Sequence, residues 1–288
     1  MCKLILLLVL AVFSLCLSAQ VPSSPISVDA FIDMNGSPVG TPATPAIMRA
    51  GTQGFAGVNW EINDSVAALK VGPQRFNLPG PVKIGSTVYP ANYPHQSLSY
   101  DTSYSFNDFR AFFPDNNYRA VTTAGFITVG IPDQGDSGSV SDLVRISGPS
   151  GAFAIMQLNN GNGPGYVLHI ESDGNGTIRS TKIPVTPGGT YWYSLKADFA
   201  AGRAYLNVYN TPTFNLVGSV TLNTRTGTGL EYVQYGNGQE ARSSGRGINF
   251  NYFENSLIDW TNAVFPLLPS GSGAPPPNPP TNLTILVQ

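Results

Sequence analysis

Thr190-Tyr-Trp-Tyr-Ser-Leu-Lys-Ala-Asp-Phe-Ala-Ala-Gly-Arg-Ala-Tyr-Leu-Asn-Val-Tyr209 alternates apolar and polar side chains on both sides of Ala201-Gly202. Period-two alternation broken by a Gly-containing turn is the pattern of a β-hairpin. With Ala201-Gly202 as a two-residue loop, the wholly apolar pairs are Phe199 with Ala204, Ala197 with Leu206 and Leu195 with Val208. The pairs between them, Asp198 with Tyr205, Lys196 with Asn207 and Ser194 with Tyr209, are polar or carry tyrosine. A one-residue slip would turn the whole apolar set outward, so pattern and turn together predict which side chains face a core.

Similar runs flank this hairpin: 104–113, 119–131, 142–147, 152–158, 166–171, 177–183, 216–222, 230–235 and 247–258, with a first strand over 26–34. Turn clusters such as Gly148-Pro-Ser-Gly151, Asp173-Gly-Asn-Gly176 and Pro187-Gly-Gly189 separate them, and no helical period is visible. The chain has 31 Gly and 24 Pro in 288 residues, about a fifth of the total against roughly 12% on average. So many breakers exclude long helices. The fold class predicted is therefore all-β, an antiparallel two-sheet sandwich, and 42% apolar residues supply a core for one large domain. A net charge of −2 with no basic block argues against nucleic acid and anionic membranes as partners.

The ends read differently. Lys3, the apolar run Leu4 to Phe13 and Leu17-Ser18-Ala19 have the form of a signal peptide over 1–19, too short for a membrane span of about 20 residues. Both cysteines, Cys2 and Cys16, fall inside it, so the exported chain has no thiol for a disulfide or metal. A spacer over 20–25 leads to the domain over 26–269. Residues 270–280 form a Gly- and Pro-rich linker, and 281–288 read as a lone strand whose opening resembles a fibronectin type III module.

The 190–209 hairpin with Val217-Gly-Ser-Val-Thr-Leu222 resembles the paired strands of laminin G-like domains in the concanavalin A-like lectin/glucanase superfamily. Gly247-Ile-Asn-Phe-Asn-Tyr-Phe-Glu-Asn-Ser-Leu-Ile-Asp259 resembles the closing strand, and Phe31-Ile-Asp-Met-Asn-Gly36 the first strand beside which it returns. The resemblance implies a jelly-roll sandwich that hosts lectins, adhesive modules and glycosidases alike, so function must come from particular residues.

Glycosidases on this sandwich carry two Glu on one strand, since retaining hydrolysis needs carboxyls about 5 Å apart. Here Glu61, Glu171, Glu231, Glu240 and Glu254 are too scattered to share a strand face, which leaves only cross-strand pairs such as Asp108 with Asp101 or Asp198 with Glu171. His95 and His169 stand apart from each other and from any Gly-x-Ser-x-Gly elbow. In Pro132-Asp-Gln-Gly-Asp-Ser-Gly-Ser-Val-Ser-Asp142, Asp133, Asp136 and Asp142 offer oxygen ligands for Ca2+, as at the calcium rim of laminin G-like domains; a plain Gly/Asp/Ser turn is the other reading. By parity, Trp192, Asp198, Tyr205, Asn207 and Tyr209 lie opposite the apolar face, where rings stack on sugars and amides hold hydroxyls. The expectation is a secreted or cell-surface, non-enzymatic module that binds a glycan or cell-surface polysaccharide. A hydrolase or lyase on the same fold and a purely structural module are the alternatives.

Export should leave a chain beginning at Gln20, which N-terminal sequencing of the secreted protein will detect; an intact or acylated Cys16 terminus would overturn the assignment of 1–19.

Overall fold

A computed structural model describes residues 24–268 apart from 35, 55–56, 65–68, 101–106, 116, 130, 133–139, 160–165, 175, 225, 228, 238–247 and 250–251. The expected signal peptide, linker and lone C-terminal strand lie outside the described residues.

The chain is all-β, an antiparallel two-sheet jelly roll. One eight-stranded sheet runs in the order Leu216–Asn223, Arg203–Asn210, Thr190–Asp198, Ala120–Thr128, Tyr252–Asp259, Ser97–Tyr100 and Leu69–Gly72, with Ala30–Ile32 also paired to Tyr252–Asp259. The first strand thus lies beside the last, Ala30 opposite Ile258, as the resemblance implied. The second eight-stranded sheet runs Gly176–Arg179, Tyr166–Gly174, Gly151–Asn159, Val140–Gly148, Tyr232–Asn237, Asn107–Phe112 and Asn59–Asp64, with Ile183–Val185 added along Tyr166–Gly174. Between the sheets lies the main core, which includes Phe109, Val144, Ile146, Met156, Tyr193, Leu195, Leu206, Val208 and Tyr235. Within it Tyr235 stacks on Phe109 at 4.9 Å and its hydroxyl meets Thr123 Oγ1 at 2.7 Å. Burial pushes the Tyr193 and Tyr235 phenols up, since an ionised oxygen has no water to meet there.

The hairpin register corrects the expectation. Asp198 faces Arg203, Ala197 faces Ala204, Leu195 faces Leu206 and Tyr193 faces Val208, so the connection is the four residues 199–202. The Asp198 side chain accepts a hydrogen bond from the Ala201 amide at 2.8 Å, and Gly202 takes the positive φ that closes the turn. Phe199 leaves the ladder and packs on Phe153 of the opposing sheet, 4.4 Å between ring centroids. A two-residue shift keeps parity, so the core face stands although the partners change.

One short helix, Pro45–Gly51, stands among the described strands, where the sequence excluded only long ones. Thr44 caps it by accepting from the Ile47 amide at 3.2 Å, and Pro45 opens its first turn. Seven residues are too few to display a helical period.

A third layer covers the outer face of the first sheet. Ile26–Val28 pairs in parallel with Val82–Ile84, which pairs with Thr87–Tyr89. Val28, Leu78, Val82, Phe214 and Leu267 of this cover pack against Phe31, Phe126, Trp192, Tyr209 and Leu257 of the sheet. The cover is pinned by acids. Glu254 accepts from the amides of Arg75 (2.9 Å) and Phe76 (2.8 Å) and meets His95 Nε2 at 2.8 Å, while His95 Nδ1 donates to the Tyr93 carbonyl. Asp29 accepts from the Trp260 and Thr261 amides, both at 2.6 Å.

Trp192→Ala and Tyr209→Ala should each cost about 3–5 kcal/mol, the range for truncating a large buried ring. Denaturant unfolding checks this, and an unshifted midpoint would mean that the cover does not seal these rings.

Candidate functional site

The aromatic platform expected on the hairpin is closed. Trp192 is fully buried, its Nε1 donating to the Leu267 carbonyl at 3.1 Å, with Phe126 and Phe214 packed around the indole. Asn207 and Tyr209 are 1% exposed; Asn207 donates to the Tyr209 hydroxyl at 2.8 Å and accepts from Ser219 Oγ at 2.7 Å. Tyr205 is half-buried, 5.5 Å from the Phe265 ring, and Asp198 caps its own turn. Parity was read correctly, but the outward face of that sheet is interior because the segments around Phe76, Phe214 and Leu267 lie over it.

The calcium loop fares differently. Asp133 and Asp136 lie outside the described residues. Asp142 belongs to the strand Val140–Gly148 and is 1% exposed, its Oδ2 accepting from Arg145 Nη2 at 2.8 Å and its Oδ1 from Gln157 Nε2 at 2.6 Å. This carboxylate does not fit a cation site, because a Ca2+ bound to it would sit against the Arg145 guanidinium. Among the described residues no three His, Cys, Asp or Glu side chains gather as a metal site.

The outer face of the second sheet brings part-exposed side chains, Arg110, Phe112, Arg145 and Tyr232, together above buried polar ones. Side chains two apart on a strand share a face. Register therefore lines up Glu61, Arg110, Gln234, Arg145 and Ile155 in one row, and Phe112, Tyr232 and Ser147 in the next. A β-bulge between Asp142 and Val144 turns Asp142 onto the same face, opposite Gln157. Arg110 Nε donates to Asp108 Oδ1 at 2.8 Å, and its guanidinium lies 5.6 Å from the centre of the Tyr232 ring. Tyr232 and Phe112 lean together at 5.1 Å. Burial opposes the charge on Arg145, yet the Asp142 carboxylate and the Tyr232 hydroxyl outweigh it, so the guanidinium is held above its ordinary value.

The Asp108 and Asp142 carboxylates are buried to the limit, while the Arg110 and Arg145 side chains are 29% and 20% exposed. Beneath the arginines, Gln157 Oε1, Gln234 Nε2, Arg145 Nε and Ser147 Oγ are buried without a protein partner. Buried polar atoms in that state are the positions ordered interior water fills. Sequence reading missed this face because Arg110, Arg145, Gln157 and Gln234 are single polar residues on four strands, far apart along the chain. The available signal was polar residues inside otherwise apolar strand runs, such as Arg145 within Leu143-Val-Arg-Ile146.

No family model matches the chain, and no curated protein does. Among solved structures, a GH131 β-glucanase catalytic domain from Podospora anserina is 12% identical, with 83% of this chain and 97% of that one covered and a TM-score of 0.48. The CBM2 module of the evolved Dit of Lactobacillus casei BL23 phage J-1 is 11% identical, with 82% and 97% covered and a TM-score of 0.40. An alginate lyase from Alteromonas sp. 272 is 8% identical, with 56% and 86% covered and a TM-score of 0.40. At these values the functions of those proteins do not transfer to this chain.

Asp142→Ala strands the Arg145 charge and the Gln157 amide together. It should lower stability by about 3 kcal/mol in denaturant unfolding, whereas millimolar calcium should leave the wild-type melting curve where chelator does.

Proposed function

We propose that the chain is a secreted, non-enzymatic carbohydrate-binding or adhesive module whose glycan lies across the outer face of the second sheet, over Arg110, Arg145, Phe112 and Tyr232. The observation that carries this is the gathering of two part-exposed rings, Phe112 and Tyr232, and two part-exposed guanidiniums, Arg110 and Arg145, on one sheet face. Sugars need both: a ring under the C–H face and fixed polar groups for the hydroxyls. The apolar Leu4 to Phe13 run and a cysteine-free chain beyond Cys16 favour an exported protein.

Binding rather than hydrolysis is favoured by the state of the carboxylates. A general acid must hold a proton to deliver. Both oxygens of Asp142 accept hydrogen bonds, from Arg145 and Gln157, and Asp108 receives Arg110, so neither presents a proton to a glycosidic oxygen.

Tyr232→Ala and Phe112→Ala should each weaken binding to a glycan found by array screening at least tenfold, about 1.4 kcal/mol, in isothermal titration. Unchanged affinity in both variants would remove this face from the account, and release of reducing or unsaturated ends from the bound polymer would replace the binding module with an enzyme.

A further inference from the structure

The two eight-stranded sheets end in strands that pair on one side only, and a long strand left so is a template for further pairing. Most of these ends are protected. Along the outer side of Leu69–Gly72 the Gly40 amide donates to the Val71 carbonyl at 2.8 Å, and the Val71 amide to the Thr41 carbonyl at 2.9 Å. Asn59–Asp64 carries Glu61 and Asp64, Gly176–Arg179 is four residues long, and Ile183–Val185 contains Pro184. Leu216–Asn223 has none of these devices. Its eight residues include no charge and no proline, a bulge at Val217 leaves 218–223 in regular register, and Leu216 and Val217 are 46% and 36% exposed. We infer that this edge is a docking site for 281–288 of the same chain, added as a further strand.

The phase of the ladder defines what the edge offers. The Thr224 amide donates to the Gly202 carbonyl, one position beyond the Arg203 and Asn223 pair, and bonded pairs alternate along an antiparallel ladder. Gly218, Val220 and Leu222 therefore bond inward to Arg203–Asn210. Ser219, Thr221 and Asn223 turn N–H and C=O outward, where no described backbone group meets them.

The segment 281–288 matches this edge in length and pattern. Thr-Asn-Leu-Thr-Ile-Leu-Val-Gln has eight residues and no charge, with Leu283, Ile285 and Val287 on one parity and, Leu286 aside, polar residues on the other. Paired here, its apolar side continues the core-facing side of Val220 and Leu222, and its polar side continues that of Ser219 and Thr221. The opposing sheet reaches far enough to receive it, since a Cβ at Gly218 would lie 2.9 Å from Ile183 Cγ2.

Reach also favours this edge. The Leu267 amide donates to Ser194 Oγ at 2.9 Å, Ser194 faces Asn207, and Asn207 faces Ser219. Leu267 thus lies two strand spacings, about 10 Å, from the edge. The twelve residues 269–280 span up to about 37 Å as polyproline. A tether of that length holds the segment at an effective concentration in roughly the millimolar range, so pairing too weak to join two molecules is populated within one.

The test compares amide exchange by NMR in the chain from Gln20 to Gln288, in one stopped after Pro280, and in a full-length double variant, Thr284→Pro with Ile285→Pro. Amides alternate in direction along a strand, so one of the two replaced donors must face the edge. In both altered chains the Ser219 and Thr221 amides should exchange at least about tenfold faster, a change of about 1.4 kcal/mol in opening, while those of Leu195 and Ala197, two strands in, hold. Equal exchange at Ser219 and Thr221 in all three proteins overturns the inference, as does a change that spreads equally to Leu195 and Ala197. Protection that rises with protein concentration, alongside a dimer in sedimentation, gives the edge to a second copy and overturns it too.

Discussion

Glu254 is 2% exposed and sits on the strand shared by the first and last segments of the domain. Its carboxylate receives the amides of Arg75 and Phe76 and meets His95 Nε2. A buried charge is tolerable only when hydrogen bonds replace its water. By supplying those bonds, the segment from Arg75 to His95 is tied down over the sheet. The rest of the molecule's arrangement follows from that attachment. Phe76 is brought onto Phe126 at 4.9 Å, Phe126 onto Trp192 at 5.0 Å, and the outer face of the hairpin sheet becomes a second core. With one face of that sheet against the main core and the other under the cover, the part-exposed arginines and rings among the described residues stand on the outer face of the opposing sheet.

That surface is built on a different principle from the cover. There the acids hold backbone amides and fix chain segments; here Asp108 and Asp142 hold arginines and fix side chains. The second arrangement leaves the partners' outer atoms free to bind. Five carboxylates of the sandwich are spent on structure. Glu254, Asp29, Asp259, Asp108 and Asp142 all accept hydrogen bonds from protein donors. Asp259, whose carboxyl burial pushes up despite donation from the Asn262 and Val264 amides, belongs to the same group of buttresses.

Sequence alone determined the layers but not their order. Alternation along Thr190–Asp198 and Arg203–Asn210 assigned Leu195, Ala197, Leu206 and Val208 to the core, because period two is local and a two-residue error in the turn leaves parity intact. The return of Tyr252–Asp259 beside Ala30–Ile32 was expected from the resemblance of these two segments to a known sandwich, not from alternation. What alternation cannot say is whether the other face meets water. Trp192, Asn207 and Tyr209 read as a sugar platform because their covering partners, Phe214, Leu267 and the Phe76 loop, carry no periodic pattern of their own. Only the tertiary structure brought them over those rings. It likewise assembled Arg110, Arg145, Gln157 and Gln234 from four strands spread over more than a hundred residues, since cross-strand register is a property of the folded sheet and is written in no single stretch of chain.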